Sequence, residues 1–155
     1  MSPSTAPVDF EGAVAEFHRA FDVDNRITDP EKLRALLEVR TTLITEEFEE
    51  VLDAVEKAQA GVGNSRFPVW AFEHLAKELA DLLYVVFGSA DLLGIPLGKA
   101  FAEVHDSNMS KLGEDGRPIL REDGKVLKGP HYRPADMADV GVDILTNYIG
   151  QQIAG

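Results

Sequence analysis

Apolar residues recur at three- and four-residue steps along most of the chain, the period of an α-helix packed on one side. Phe10, Val14, Phe17 and Phe21 mark a first helix from about Val8 to Phe21, whose aromatic stripe is expected in the core. Thr28-Asp29-Pro30-Glu31 opens a second, with Asp29 as N-cap and Pro30 at the first helical position. Leu33, Leu36, Leu37, Leu43, Ile44, Phe48, Val51, Leu52 and Val55 carry that helix to about Ala60, a length of roughly 45 Å at about 1.5 Å per residue. Gly61-Val62-Gly63-Asn64 stops it. Phe67-Pro68-Val69 starts a third helix, which runs with Trp70, Phe72, Leu75, Leu79, Leu82, Leu83, Val86 and Phe87 to about Leu93. Gly94-Ile95-Pro96 is a C-terminal glycine followed by a proline at the next start. The fourth helix, Pro96 to about Met109, is expected to bury Leu97, Phe101 and Val104.

The pattern then changes. Asp115-Gly116 and Asp123-Gly124 are turn dipeptides beside the short apolar pieces Ile119-Leu120 and Val126-Leu127, which predicts a small β-hairpin or ordered loop over 117–128. After Gly129-Pro130, Pro134 is expected to open a last helix with Met137, Val140, Ile144, Leu145, Tyr148 and Ile149 on one face. The fold class is therefore all-α: a four- to five-helix bundle with a short β-hairpin or loop near residues 115–130. Residues 8–150 form the predicted single domain, and 1–7 a flexible tail. Several helices, 79–93 above all, are apolar over more than one stripe. That surplus predicts a homo-oligomer, a dimer at least.

Composition narrows the function. The chain has 155 residues, 45% of them hydrophobic, and no cysteine, which removes disulfides, thiol catalysis and Cys-zinc sites. No long apolar run and no basic-then-apolar leader is present, so a soluble, cytoplasmic protein that does not enter a membrane is expected. A net charge of -12 argues against nucleic acid as a partner. Six of the fifteen Lys and Arg residues nevertheless fall between 111 and 133, against four acids, so that segment is locally basic.

Two acidic segments interrupt the helical pattern: Glu46-Glu47-Phe48-Glu49-Glu50 and Glu78-Leu79-Ala80-Asp81. Glu46 and Glu47 stack above Glu50, and Glu78 above Asp81, so like charges repel at helix spacing. At about 100° per residue, Glu47 falls inside the apolar arc of its helix, with Glu46 and Glu50 at the border. Glu78 falls just inside the edge of the arc formed by Phe72, Leu75, Leu79, Leu82 and Val86, and Asp81 lies beside it. Helices packed through these arcs bring their acidic flanks together. A solvated acidic face is the plain alternative for each motif, but carboxylates facing a helix interface are costly unless paired or bound to metal. No Lys or Arg stands three or four residues from Glu47, and Lys77 and His74 beside Glu78 are expected to leave Asp81 unmatched. All-oxygen donors of this kind suit Mg²⁺ or Mn²⁺.

With both motifs in place, the chain resembles the MazG-like all-α nucleoside triphosphate pyrophosphohydrolases, a superfamily that includes phosphoribosyl-ATP pyrophosphohydrolases and dimeric dUTPases. The resemblance also covers Phe17-His18-Arg19-Ala20-Phe21, the run from Val104 to Leu112, and the run from Asp123 to Pro130. It implies a MazG-like bundle that cleaves a nucleoside triphosphate between its α- and β-phosphates with Mg²⁺, which Mn²⁺ can replace. It further implies Glu47, Glu50, Glu78 and Asp81 as metal ligands. Glu46 would activate water, directly or as ligand to a further metal, so Glu46 and Glu47 are the catalytic candidates.

A triphosphate also needs cations. Asn108 and Lys111 share a helix face at i and i+3, and with Lys125 and Lys128 they are the phosphate-binding candidates; Arg40 is a rival. Phe17, Phe21 and Trp70 are candidates for stacking on a base, and Asp22 or Asn25 for reading its edge or the sugar. His18, His105 and His131 are expected to be structural or solvated. The expected substrate is dUTP, by resemblance to small house-cleaning enzymes, with a modified deoxynucleotide, dCTP or phosphoribosyl-ATP as alternatives. Two other classes compete. A di-iron bundle needs Glu-x-x-His on two helices, which this sequence lacks. A non-catalytic metal-binding helical interaction module would leave Glu47 and Glu78 unexplained.

Overall fold

The computed structural model describes residues 7–23, 26–63 and 67–153. Five helices run through them: α1 (Phe10–Ala20), α2 (Pro30–Gly61), α3 (Val69–Leu92), α4 (Leu97–Met109) and α5 (Ala138–Ile153). The protein is all-α, as the periodicity predicts. Its start signals are local: Asp29 accepts the Lys32 N–H at 2.8 Å with Pro30 inside the first turn, and Asp9 accepts the Gly12 N–H at 3.0 Å. At the end of α3, Gly94 adopts a φ of 66°, a left-handed turn that a side chain would strain.

The chain forms two compact units. One runs through Gly94 and takes in the end of α5 from Gly150; the other is Ile95–Ile149. In the first, α3 packs against both α1 and α2. The α2–α3 register is antiparallel, because Arg40 bonds to Val85 and Ser89 while Glu47 and Glu50, further along α2, meet Glu78, earlier on α3. Val51, Ala54, Ala58 and Gly61 are the buried positions of α2, and Ala54 and Ala71 are fully buried. Small side chains there allow close helix approach. On the α1 side, Phe10 stacks on Phe87 and Phe17 meets Tyr84 edge-on. Gln151 accepts a hydrogen bond from the Ile27 backbone N–H at 3.4 Å, and Gln152 donates to the Ile27 carbonyl.

The aromatic stripe of α1 differs from the expectation of a core. Val14 and His18 point inward, whereas Phe10, Phe17 and Phe21 stay 50%, 39% and 68% exposed. Three helices do not make enough cover for both flanks of α1. No large side chain among the described residues is fully buried.

In the second unit, α4 leads into a loop held by its own backbone. Leu120 pairs with Val126, the Leu127 N–H donates to the Ile119 carbonyl at 2.8 Å and the Arg121 N–H to the Lys125 carbonyl at 2.9 Å. This is the expected hairpin, reduced to a single bridge. Gly129 donates to the Lys111 carbonyl, and a Cβ there would stand 2.2 Å from the Leu112 carbonyl oxygen, so only glycine fits. Ser107 and Ser110 donate to the Arg133 carbonyl at 2.9 and 3.3 Å. The chain after that anchor is not helical, and α5 begins at Ala138, whose N–H donates to Asp136, rather than at Pro134. The burial expected of α4 also fails: Phe101 and Val104 are 69% and 42% exposed. On the face shared by Met137, just before α5, with Val140, Leu145, Tyr148 and Ile149, only Val140 is buried. The periodicity identified their shared faces, but the unit has no layer to cover them.

Candidate active site

The two acidic motifs meet across the α2–α3 interface. Among the described residues, one oxygen from each of Glu47, Glu50 and Glu78 lies within 4.8 Å of the others. Glu47 and Glu50 are one turn apart on α2, and Glu78 is delivered by the antiparallel α3. Exposure grades across the group: Glu78 is 2% exposed, Glu47 half-buried and Glu50 exposed. The phase argument thus places Glu47 correctly, while Glu78 lies deeper in the interface than its sequence phase suggested.

Glu78 does not stand alone. His74 Nδ1 is 3.0 Å from its Oε1, and the Lys77 ammonium is 3.2 and 3.0 Å from its two oxygens. Asp81 is not unmatched, contrary to expectation: Lys77 also reaches Asp81 Oδ2 at 2.7 Å. The lysine stem spans the one-residue and four-residue neighbours at once. Asp81 itself stays nearly half exposed and outside the three-carboxylate group.

Electrostatics divide the protons unevenly. The neighbouring Glu78 carboxyl group, and then Glu47, raise the pKa of Glu50 above the ordinary 4.5. The Lys77 hydrogen bond lowers the pKa of Glu78. The hydrogen bonds to Asp81 and then to Glu78 push the Lys77 ammonium up, so it stays charged. The Lys77 ammonium holds together the Glu78 and Asp81 carboxylates, which would otherwise repel.

The remaining candidates are distributed. Glu46 is exposed on α2, about 100° round from Glu47, and Glu49 is exposed as well. Phe17 and Phe21 lie together, ring centroids 4.4 Å apart, with Asp22 beside them in a left-handed turn at φ 51°. Trp70 is 63% exposed at the other end of α3, about 21 Å along the helix from the Tyr84 that touches Phe17. Asn25 lies outside the described residues. Asn108, Lys111, Lys125 and Lys128 all belong to the second unit. There Lys111 donates to Asn108 Oδ1 at 2.6 Å, the Gly129 contact brings Lys128 beside Lys111, Lys128 sits over the Tyr132 ring, and Lys125 lies in the hairpin turn.

Arg40, the rival cation, is a tie between helices: Nε donates to Ser89 Oγ at 2.9 Å and a terminal nitrogen to the Val85 carbonyl at 2.8 Å. His18 is buried against Asp91 at 2.5 Å and joins α1 to α3. His105 and His131 are exposed. The His18–Asp91 pair carried no signal in the sequence, whereas Lys77 and Asp81 stand at i and i+4, a spacing that favours their pairing.

The chain matches the family model described as phosphoribosyl-ATP pyrophosphohydrolase over residues 14–108. That stretch contains both acidic motifs. No curated protein matches. Among solved structures, the chain is similar to a crystal structure from Exiguobacterium sp. 255-15 whose name proposes an NTP pyrophosphohydrolase, with 25% identity over 96% of this chain and 99% of that one and a TM-score of 0.40.

Proposed function

The chain belongs to the phosphoribosyl-ATP pyrophosphohydrolase family, within the MazG-like all-α superfamily, and is a pyrophosphohydrolase; from that premise we propose that it cleaves a nucleoside triphosphate between the α- and β-phosphates with Mg²⁺ or Mn²⁺. The observation that carries this reading is the meeting of Glu47, Glu50 and Glu78 with Glu78 at 2% exposure. A buried carboxylate beside two others suits a hard divalent cation, since all the donors are oxygens and the charge is high. When bound, such an ion neutralises phosphoryl oxygens and lowers the pKa of a water.

The protein's own residues do the rest. His74 fixes the orientation of Glu78, and the helix interface fixes its distance from Glu47 and Glu50. Glu46, solvent-facing beside the group, is the base: a water oxygen bonds to the α-phosphorus, the bond to the bridging oxygen breaks, pyrophosphate leaves and Glu46 takes the water proton. Asp81, held at the rim by Lys77, is the fourth ligand in this reading.

For the substrate we propose dUTP first. Phosphoribosyl-ATP is the second reading, favoured by the family match itself. A panel of nucleoside and deoxynucleoside triphosphates, with dUTP and phosphoribosyl-ATP included, separates them when pyrophosphate and orthophosphate are measured with Mg²⁺, Mn²⁺ or chelator. Metal-dependent pyrophosphate release is expected, largest for dUTP. Orthophosphate as the product contradicts the cleavage position.

The proposal extends to a homodimer. By helix phase, Ile44, Phe48 and Leu52 of α2 share the side of the hairpin opposite the carboxylates with Phe72, Leu79 and Leu83 of α3. Phe48, Leu52, Leu79 and Leu83 are each 46% to 52% exposed. An apolar face of this extent suits a second copy of the chain.

A further inference from the structure

We propose that the Lys77 ammonium is a placeholder cation: it holds Glu78 and Asp81 while no divalent ion is bound, and is displaced from them when one binds. This rests on the metal reading of the same carboxylates.

Four observations converge. First, Glu78 at 2% exposure cannot keep its charge without a nearby cation. Among the described residues, Lys77 is the only Lys or Arg within ion-pair distance of Glu47, Glu50, Glu78 or Asp81. Secondly, the ammonium spans both motif residues of α3, 3.0 Å from Glu78 and 2.7 Å from Asp81. It thus occupies the donors assigned to the metal. Thirdly, the hold is weakly built. Neighbours at i and i+1 diverge by about 100° round a helix, so the stem must fold back to reach Glu78. The lysine side chain is also 62% exposed, and release needs only rotation of that stem into solvent. Arg40, which ties the same two helices, is anchored instead by hydrogen bonds to Ser89 and Val85. Fourthly, His74 holds Glu78 Oε1 independently at 3.0 Å, so the carboxylate keeps its orientation when Lys77 leaves.

The consequence is a tuned affinity. A divalent ion must displace an existing ion pair before it gains Glu78 and Asp81, so the lysine weakens metal binding while keeping the metal-free site folded.

The test is Mn²⁺ binding by calorimetry and by electron paramagnetic resonance, with thermal unfolding in the presence and absence of Mn²⁺. It uses the full-length wild type, Lys77→Met, Lys77→Arg and Glu78→Gln. Lys77→Met is expected to bind Mn²⁺ about fivefold more tightly than wild type. Its metal-free melting temperature should fall, its Mn²⁺-induced rise should exceed that of wild type, and Lys77→Arg should behave as wild type. Equal or weaker Mn²⁺ binding by a folded Lys77→Met overturns the placeholder role while leaving the metal site standing. Were that variant unfolded without metal, refolding on Mn²⁺ addition supports the proposal, and failure to refold contradicts it. Absence of Mn²⁺ binding in the wild type overturns the metal reading and this proposal together, whereas loss confined to Glu78→Gln supports the metal reading.

Discussion

Glu50 on α2 and Glu78 on α3 bring carboxylate oxygens within 4.8 Å of each other across the helix interface. The neighbouring Glu78, and then Glu47, raise the pKa of Glu50, while Lys77 lowers that of Glu78. The raised pKa of Glu50 means that its contribution to stability is present below the ordinary 4.5 and is lost as pH rises through its folded value. The lowered pKa of Glu78 works the other way, present above 4.5 and lost as pH falls. Mn²⁺ affinity should therefore rise with pH from about the usual carboxylate range upward, with proton release measurable by calorimetry in buffers of different ionisation enthalpy. Glu50→Gln should weaken that pH dependence, the remaining carboxylates keeping the rest. Identical wild-type affinity at both ends of the range would contradict competition between protons and the metal for these carboxylates.

Gly129 faces backbone on two sides, with the Leu112 and Lys111 carbonyls 2.2 and 2.7 Å from the place of a Cβ. Helix end and loop must separate to admit alanine. Gly129→Ala is expected to destabilise the protein by about 1–3 kcal/mol, the usual cost of overpacking. The displaced loop carries Lys125 and Lys128. Urea unfolding checks the magnitude, and an unchanged midpoint contradicts the close packing described.

The exposed apolar side of α2 and α3 should be covered in solution. Light scattering at micromolar concentration is expected to give a dimer, and Leu52→Arg together with Leu79→Arg should shift it to monomer without unfolding it. A wild-type monomer removes the dimer proposal.

Much of this was legible in the chain because the signals were local. Asp29-Pro30 and Gly94-Ile95-Pro96 punctuate helices through their own backbone chemistry, and the period of 3.6 residues placed Glu47 on an inward face. What a face packs against is not local. The stripe at Phe10, Phe17 and Phe21 and the apolar side of α4 at Phe101 were visible as stripes, but their cover depends on other elements. His18 and Asp91 meet across 73 residues, and neither has a neighbour that marks it. The sequence offers Lys77 to Glu78, but its i,i+4 spacing to Asp81 is just as local a signal, and a flexible stem reaches both carboxylates at once. The Pro134 start failed because Ser107 and Ser110 pin the preceding carbonyl, a contact made by a distant helix.

The central claim is that the buried carboxylate of Glu78, with Glu47 and Glu50, carries the metal on which cleavage depends. Its most direct test is pyrophosphate release from dUTP across a Mg²⁺ titration, in wild type and in Glu78→Gln, with Mn²⁺ binding followed in parallel. Metal-dependent release by the wild type is expected and, in a folded Glu78→Gln, at least a hundredfold loss of turnover, about 3 kcal/mol of transition-state stabilisation, together with loss of Mn²⁺ binding. Glu78→Gln that retains Mn²⁺ binding and turns over at the wild-type rate would contradict that claim.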